Sequence, residues 1–324
     1  MQSCLVTGGA GYIGSHTVAE LARRGYRPVV VDNLSEGHRE AVVGVPLEIV
    51  DLGDENGLDQ VFQTHHVEAV IHFAGLCYVG ESVINPRLYF ERNLGDALTL
   101  LRVMLRYDVK RFILSSTCAT YGNPVRVPID EAHPQDPVNP YGETKYFLER
   151  ILRDYDRAYG LRFVALRYFN AAGASRDNRV GESHDPETHL IPRVLQAAKN
   201  GGAIDVYGED YPTPDGSCIR DYVHVEDLAT AHVAALEWLS TADRSDAFNL
   251  GTGQGYSVKE VIEAARKITG CSVRVNVAPR RAGDPPALVA DAQKAYRTLN
   301  WKPEHSDLDT VIRTAWQWEL NRRY

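Results

Sequence analysis

The chain has 324 residues, enough for about two domains at roughly 100–200 residues each. Its 44% hydrophobic and 24% charged residues exclude a disordered, collagenous or low-complexity chain. With 35 Lys and Arg against 43 Asp and Glu, the net charge of −8 and the absence of any basic block exclude a general nucleic-acid binder, so an anionic ligand has to be held by local groups.

The first predicted strand, 4–7, runs into Gly8, Gly9, Gly11 and Gly14, which satisfy both G-x-x-G-x-x-G and G-x-G-x-x-G spacing. Glycines there permit a tight turn and close backbone approach, and the predicted helix at 13–21 would present its N-terminal N–H groups to a pyrophosphate. A second strand at 28–31 ends in Asp32, 18 residues beyond Gly14, where a carboxylate can accept ribose hydroxyls. Asn33 follows instead of an arginine, and the charge of Asp32 repels a 2′-phosphate, so NAD is expected rather than NADP. The third strand, 47–50, leads to Asp51, a candidate for the adenine amino group, and a fourth covers 69–73.

The region 88–105 reads as one helix with apolar residues around much of its circumference, more than a single buried stripe requires. A strand at 112–115 ends in the hydroxyl run Ser115-Ser116-Thr117. The next helix, 141–159, opens with Tyr141 and Lys145, four apart and therefore on one face. A tyrosine titrates near about 10 when unperturbed, and a fixed cation beside it, joined by the positive nicotinamide of bound NAD⁺, favours the phenolate, so Lys145 and the cofactor together are expected to lower the pKa of Tyr141 and make it a proton acceptor.

A strand at 163–166 completes the first half, in which apolar strands alternate with helices. That pattern predicts an α/β fold, a doubly wound parallel sheet (Rossmann type), with a smaller mixed α/β C-terminal substrate domain. The texture changes at about Ala171, giving expected domains 1–172 and 173–324, and the apolar run 246–251 reads as a strand able to return the segment near 220–255 to the first sheet. No apolar run reaches the roughly 20 residues of a membrane-spanning helix, and the first residues show no signal-peptide pattern. Five scattered cysteines without a C-x-x-C pair fit a reducing, cytoplasmic setting better than a disulfide framework or zinc site, and no metal is expected.

The segments Thr7-Gly8-Gly9-Ala10-Gly11-Tyr12-Ile13-Gly14, His72-Phe73-Ala74-Gly75, Ser115-Ser116-Thr117, Pro140-Tyr141-Gly142-x-x-Lys145, Leu166-Arg167-Tyr168-Phe169-Asn170, His189-Leu190-Ile191-Pro192, Arg220-Asp221-Tyr222 and Arg280-Arg281-x-Gly283-Asp284 resemble the extended short-chain dehydrogenase/reductases, and within them the UDP-glucose 4-epimerase branch. The resemblance spans essentially the whole length. It implies reversible epimerisation at C4 of a UDP-hexose through a transient 4-keto sugar, with tightly held NAD, Tyr141, Lys145 and Thr117 catalytic, and a homodimer built on the 88–105 helix and the helix carrying Leu148, Ile151, Leu152 and Tyr155.

It further implies cofactor contacts at Gly8, Gly11, Tyr12, Ile13, Gly14, Asp32, Asn33, Asp51, Leu52, Phe73, Ala74, Gly75, Asn93, Ser115 and Tyr168. Substrate contacts are implied at Asn170, Arg220 and Arg281 (diphosphate), Leu190, Tyr207 and Asp284 (uridine), His189, and Leu288, a size gate beside the sugar. Two positions depart from the usual pattern: Cys77 replaces a cofactor-contacting lysine found in some members, and His189 replaces an asparagine. Cys118 and Ala119 follow Thr117, so the carboxylates that dehydratases and decarboxylases use there are missing and chemistry beyond C4 redox is not supported. The alternatives are an epimerase acting mainly on N-acetylhexosamine, uronate or pentose nucleotides, and a non-catalytic nucleotide-sugar binder.

Overall fold

Strand β1 (Ser3–Thr7) is buried at every position, Cys4 and Val6 facing one side of the sheet and Leu5 the other. A strand covered on both faces has no polar side to alternate with, which is why it reads as a continuous apolar run. The computed structural model describes residues 2–242, 244–281 and 283–324. In chain order it continues with α1 (Tyr12–Arg23), β2 (Arg27–Asp32), β3 (Leu47–Ile49), α2 (Glu55–His65), β4 (Ala69–His72), α3 (Val79–Ile84), α4 (Pro86–Tyr89), α5 (Asp96–Arg106), β5 (Arg111–Thr117), α6 (Pro140–Tyr159), β6 (Arg162–Tyr168) and β7 (Asn170–Ala172). The second half adds α7 (Leu190–Asn200), β8 (Ala203–Tyr207), β9 (Ile219–Arg220), β10 (Tyr222–His224), α8 (Val225–Thr241), β11 (Asp246–Leu250), β12 (Tyr256–Ser257), α9 (Val258–Thr269), β13 (Arg274–Ala278), β14 (Ala287–Leu288), α10 (Gln293–Thr298) and α11 (Leu308–Leu320).

Seven strands form one sheet in the order β11-β6-β5-β4-β1-β2-β3, every pair parallel. The chain winds outward from β1 to β3, then crosses back to β4 on the other side of β1, so the order reverses between β1 and β4. Ligand crevices in open α/β sheets form outside the carboxyl ends of the strands at such a reversal. One face is packed by α1 and α8 through Val18, Leu21, Leu228 and Leu236, the other by α2, α5 and α6 through Phe62, Leu100, Leu101, Leu148 and Leu152.

A separate core joins α7, α9 and α11 through Val194, Leu195, Val261, Ile262, Val311 and Ile312. Around it lie three small sheets: β10 with β7, β8 with β13, and β9 between β12 and β14. Strand β11 and helix α8 belong to the large sheet although they follow β10, because β11 pairs with β6 and α8 packs on α1.

The region expected as one helix at 88–105 is helical from Pro86 to Arg106 but takes π-helical pitch over Phe90–Gly95. An i, i+3, i+4 apolar pattern does not resolve one extra residue in a turn. Such insertions cluster at functional sites, and here the wide turn carries Asn93. No helix among the described residues is long and apolar enough to cross a membrane.

Candidate active site

The glycine turn joins β1, α1 and the end of β4 backbone to backbone. Gly8 has φ +70°, and a Cβ there would lie 2.6 Å from Ala74 N; a Cβ on Gly14 would lie 2.1 Å from Gly8 O. Gly11 precedes α1, and no side chain caps the helix, which leaves the turn around Tyr12 and Ile13 open to an anion. Asp32 is buried at the end of β2, accepting from Ala10 N at 3.0 Å and Leu34 N at 2.9 Å. Each of its oxygens keeps a second lone pair for a ribose hydroxyl. Asn33 and Asp51 meet directly, Nδ2 to carboxylate at 2.9 Å, and Asp51 also pairs with Arg92 at 3.1 Å; the adjoining Leu52 is buried.

Beyond β4, Phe73 and Ala74 donate their N–H groups to Thr7 O. Gly75 is left-handed at φ +147°, and a Cβ on it would be 3.0 Å from Asn93 Oδ1 and 3.8 Å from Lys145 Nζ. Asn93 holds this corner by accepting from Leu76 N at 2.8 Å and donating to Thr144 Oγ1 at 3.1 Å.

Helix α6 starts where it does because Asn139 accepts from Gly142 N at 2.8 Å and Pro140 occupies the first turn. That cap sets Tyr141 and Lys145 one turn apart, 8% and 5% exposed, against the end of β5. Lys145 Nζ donates to Ser115 O at 3.0 Å, and the Ser115 and Tyr168 hydroxyls share a hydrogen bond of 2.7 Å. Burial lowers the Lys145 pKa to about 8.

Burial also pushes the Tyr141 phenol well above its usual value, with a smaller push from Tyr168, while a hydrogen bond with Thr117 works the other way. The expected lowering belongs to the loaded site, where the positive nicotinamide of NAD⁺ joins Lys145 in favouring the phenolate.

On the other side of the crevice, Leu288 lies in register with Arg220 in the β14–β9 pair and packs against the cluster of Cys118, Tyr121, Ile129, Phe169 and Ala290. It thus sits behind the residue that follows Thr117. Arg220 donates to Ile219 O and Pro285 O and pairs with Asp284 at 2.7 Å, leaving two of the five N–H donors of a guanidinium uncommitted. Asn170 Nδ2 donates to Asp221 O at 3.0 Å. Arg281 stacks over Tyr207 at 3.9 Å from the ring centroid. Leu190 opens α7, and Cys77 is an exposed free thiol. The His189 ring is engaged by Glu182 at 2.6 Å and by Glu187 at 3.4 Å.

Two constellations escaped sequence reasoning. Arg167 and Glu149 form a fully buried ion pair behind the hydroxyl run, Arg167 Nε donating to Glu149 Oε1 at 2.9 Å, Ser116 Oγ donating to the same oxygen at 2.7 Å and Arg167 Nη1 donating to Tyr121 OH at 2.9 Å. The other gathers Glu182, His184, Glu187 and His189, and the spacing E-x-H-x-x-E-x-H was the available signal.

Residues 4–251 match the NAD dependent epimerase/dehydratase family. A UDP-glucose 4-epimerase of Halalkalibacterium halodurans is 51% identical over 315 residues, covering 97% of this chain and 94% of that one. The crystal structure of UDP-glucose 4-epimerase from Brucella ovis in complex with NAD superposes with a TM-score of 0.95 at 52% identity, covering 98% of each chain. The UDP-Glc/GlcNAc 4-epimerase of Campylobacter jejuni superposes at 0.87 with 39% identity, covering 99% of each chain.

Proposed function

The chain belongs to the NAD dependent epimerase/dehydratase family, and from that premise we propose that it interconverts UDP-galactose and UDP-glucose by reversible epimerisation at C4. The observation that carries this reading is the convergence of Tyr141, Lys145 and Thr117 beside the glycine turn, at the carboxyl ends of the parallel strands.

A dinucleotide fits this site. A Cβ at Gly14 would fill the cradle, α1 has no side-chain cap, and Asp32 retains acceptor capacity facing the turn. When bound, NAD supplies a hydride acceptor and donor at C4. Every other task falls to the chain. Tyr141 takes the proton from the sugar 4-hydroxyl and returns it after the keto sugar has turned about its link to the diphosphate. Thr117, hydrogen-bonded to the phenol, positions O4 and shortens the proton's path. Lys145, anchored on Ser115 O, holds its charge on the same helix face. The free donors of Arg220, together with Asn170 and Arg281, grip the diphosphate, and Leu190, Tyr207 and Asp284 frame the uridine.

The division into residues 1–172 and 173–324, with α8 and β11 rejoining the first unit, belongs to the same reading, supported by the separate core of α7, α9 and α11. So does a homodimer, supported by the half-buried apolar residues Leu94, Leu98 and Leu105 on the Pro86–Arg106 helix and Ile151 and Tyr155 on α6. Sedimentation equilibrium is expected to give twice the chain mass, and a monomer at micromolar concentration would remove this element. Five free cysteines favour a cytoplasmic setting.

The function is tested with purified protein and no added NAD. UDP-galactose is expected to yield UDP-glucose, resolved by anion exchange; silence even after adding NAD overturns the assignment. The same assay examines Leu288. Leucine leaves less room than a small residue, and shortening it relieves a clash worth about 1–3 kcal/mol per displaced methylene. Leu288→Ala is therefore expected to raise UDP-GalNAc turnover relative to UDP-galactose by about tenfold or more. An unchanged ratio excludes a gate at this position.

A further inference from the structure

We propose that Glu182, His184, Glu187 and His189, the last also an expected substrate contact, form a binding site for one divalent transition-metal ion of the zinc class. Each residue offers one ligand atom, and the four atoms lie within 4.8 Å of one another. His184 Nδ1 is 3.3 Å from Glu182 Oε1 and 3.6 Å from Glu187 Oε2, and His189 Nδ1 is 3.4 Å from Glu187 Oε1. Ligands about 2.0–2.2 Å from a tetrahedral zinc ion are separated from each other by roughly 3.3–3.6 Å, so the two edges from His184 Nδ1, to Glu182 Oε1 and to Glu187 Oε2, are already in place. The fourth measured contact, His189 Nδ1 to Glu182 Oε1 at 2.6 Å, is shorter than such an edge and would open around an ion.

The site is buried and its ligands point inward. The Glu182 and Glu187 side chains are 6% and 5% exposed. Among the buried polar atoms, Glu182 Oε1, His184 Nδ1 and Glu187 Oε2 are close to one another yet none has a partner in hydrogen-bonding alignment. Two buried carboxylates side by side need positive charge. His189, 45% exposed on the side-chain scale, provides the way in.

The backbone that carries the ligands is fixed from outside the cluster. Trp318 Nε1 donates to Glu182 O at 2.8 Å, Ser183 Oγ donates to Tyr324 O at 3.3 Å, and Gly181 N donates to Tyr324 OH at 3.2 Å. The rings of Tyr12 and Tyr78 meet His184 edge-on at 6.4 and 5.9 Å. Two imidazoles and two carboxylates suit zinc, whereas magnesium prefers octahedral oxygen with retained water.

Untagged protein stripped with EDTA is dialysed to equilibrium against Zn²⁺ and, separately, Mg²⁺, and loaded with Co²⁺ for visible absorption. One Zn²⁺ per chain, no saturable Mg²⁺, and the intense d–d bands of four-coordinate Co²⁺ are expected, with Glu182→Gln and His184→Gln each weakening Zn²⁺ by about a hundredfold. Absence of stoichiometric Zn²⁺ uptake, or uptake unchanged in a folded His184→Gln variant, overturns the site and leaves a proton-held ion-pair cluster. If both variants misfold, wild-type stoichiometry and the Co²⁺ spectrum decide between these outcomes.

Discussion

Tyr141→Phe is expected to leave a folded protein that keeps its nucleotide while turnover of UDP-galactose falls by about two to four orders of magnitude. The substitution deletes one oxygen from a ring that is 8% exposed, so the packing of α6 against the end of β5 is retained. Lys145 keeps its hydrogen bond to Ser115 O, and the Asn139 cap that starts the helix is untouched. What disappears is the acceptor for the O4 proton. Thr117 is a poor substitute, since its hydroxyl already accepts from Ala119 N at 3.1 Å and an alcohol is a weak base.

The burial of Tyr141 strengthens this expectation. A phenol held well above its usual pKa by burial accepts a proton readily once ionised, and its ionisation has to be driven by charge assembled in the loaded site. The loss should therefore fall on kcat, with KM nearly unchanged, because the diphosphate contacts are remote from the deleted atom. Retention of more than a tenth of wild-type kcat would assign proton transfer to another group.

The elements around the crevice are legible in the sequence where their residues are local. A strand, a glycine turn and a helix follow one another within residues 3–23, so the cradle is legible from spacing alone. Tyr141 and Lys145 share a helix, and 3.6-residue periodicity places them together. The Glu149–Arg167 pair was hidden because it joins α6 to β6, yet both members carried a signal. Glu149 lies one turn beyond Lys145 on the buried face, and Arg167 follows directly on the apolar run Phe163, Val164, Ala165 and Leu166. A charge on a buried face demands a partner. The pitch change at Phe90–Gly95 had no such signal, since the same apolar residues satisfy either pitch. The pKa direction at Tyr141 also depended on burial, which spacing does not report.

Glu149→Gln is expected to destabilise the fold by about 3–5 kcal/mol, because it strands the Arg167 guanidinium, 2% exposed, without a counter-charge. The amide preserves shape and one acceptor, so the loss measures charge and not a cavity. Burial by itself would raise the Glu149 pKa, but hydrogen bonds and the charge of Arg167 outweigh it and hold the carboxyl below its ordinary value. A depressed carboxyl contributes stability that is present above the unfolded pKa, about 4.3, and is lost as pH falls through the folded value. The wild-type advantage over Glu149→Gln should accordingly be full at neutral pH and shrink in acid.

Arg167→Met combined with Glu149→Gln removes both charges and should recover much of the loss, since a buried ion pair roughly balances its own desolvation. A denaturation cycle over the four proteins isolates the coupling. The pair also stands directly behind Ser116, between Ser115, which holds Lys145, and Thr117, which meets Tyr141. Ser116 and Arg167 Nε share one acceptor oxygen, and an amide is a weaker acceptor than a carboxylate; the strand end that fixes the catalytic hydroxyls is loosened, and Glu149→Gln should lower kcat even at temperatures where it remains folded. Wild-type stability in the single variant would mean that Arg167 finds other charge or water, and the buried pair would then carry neither the fold nor the site.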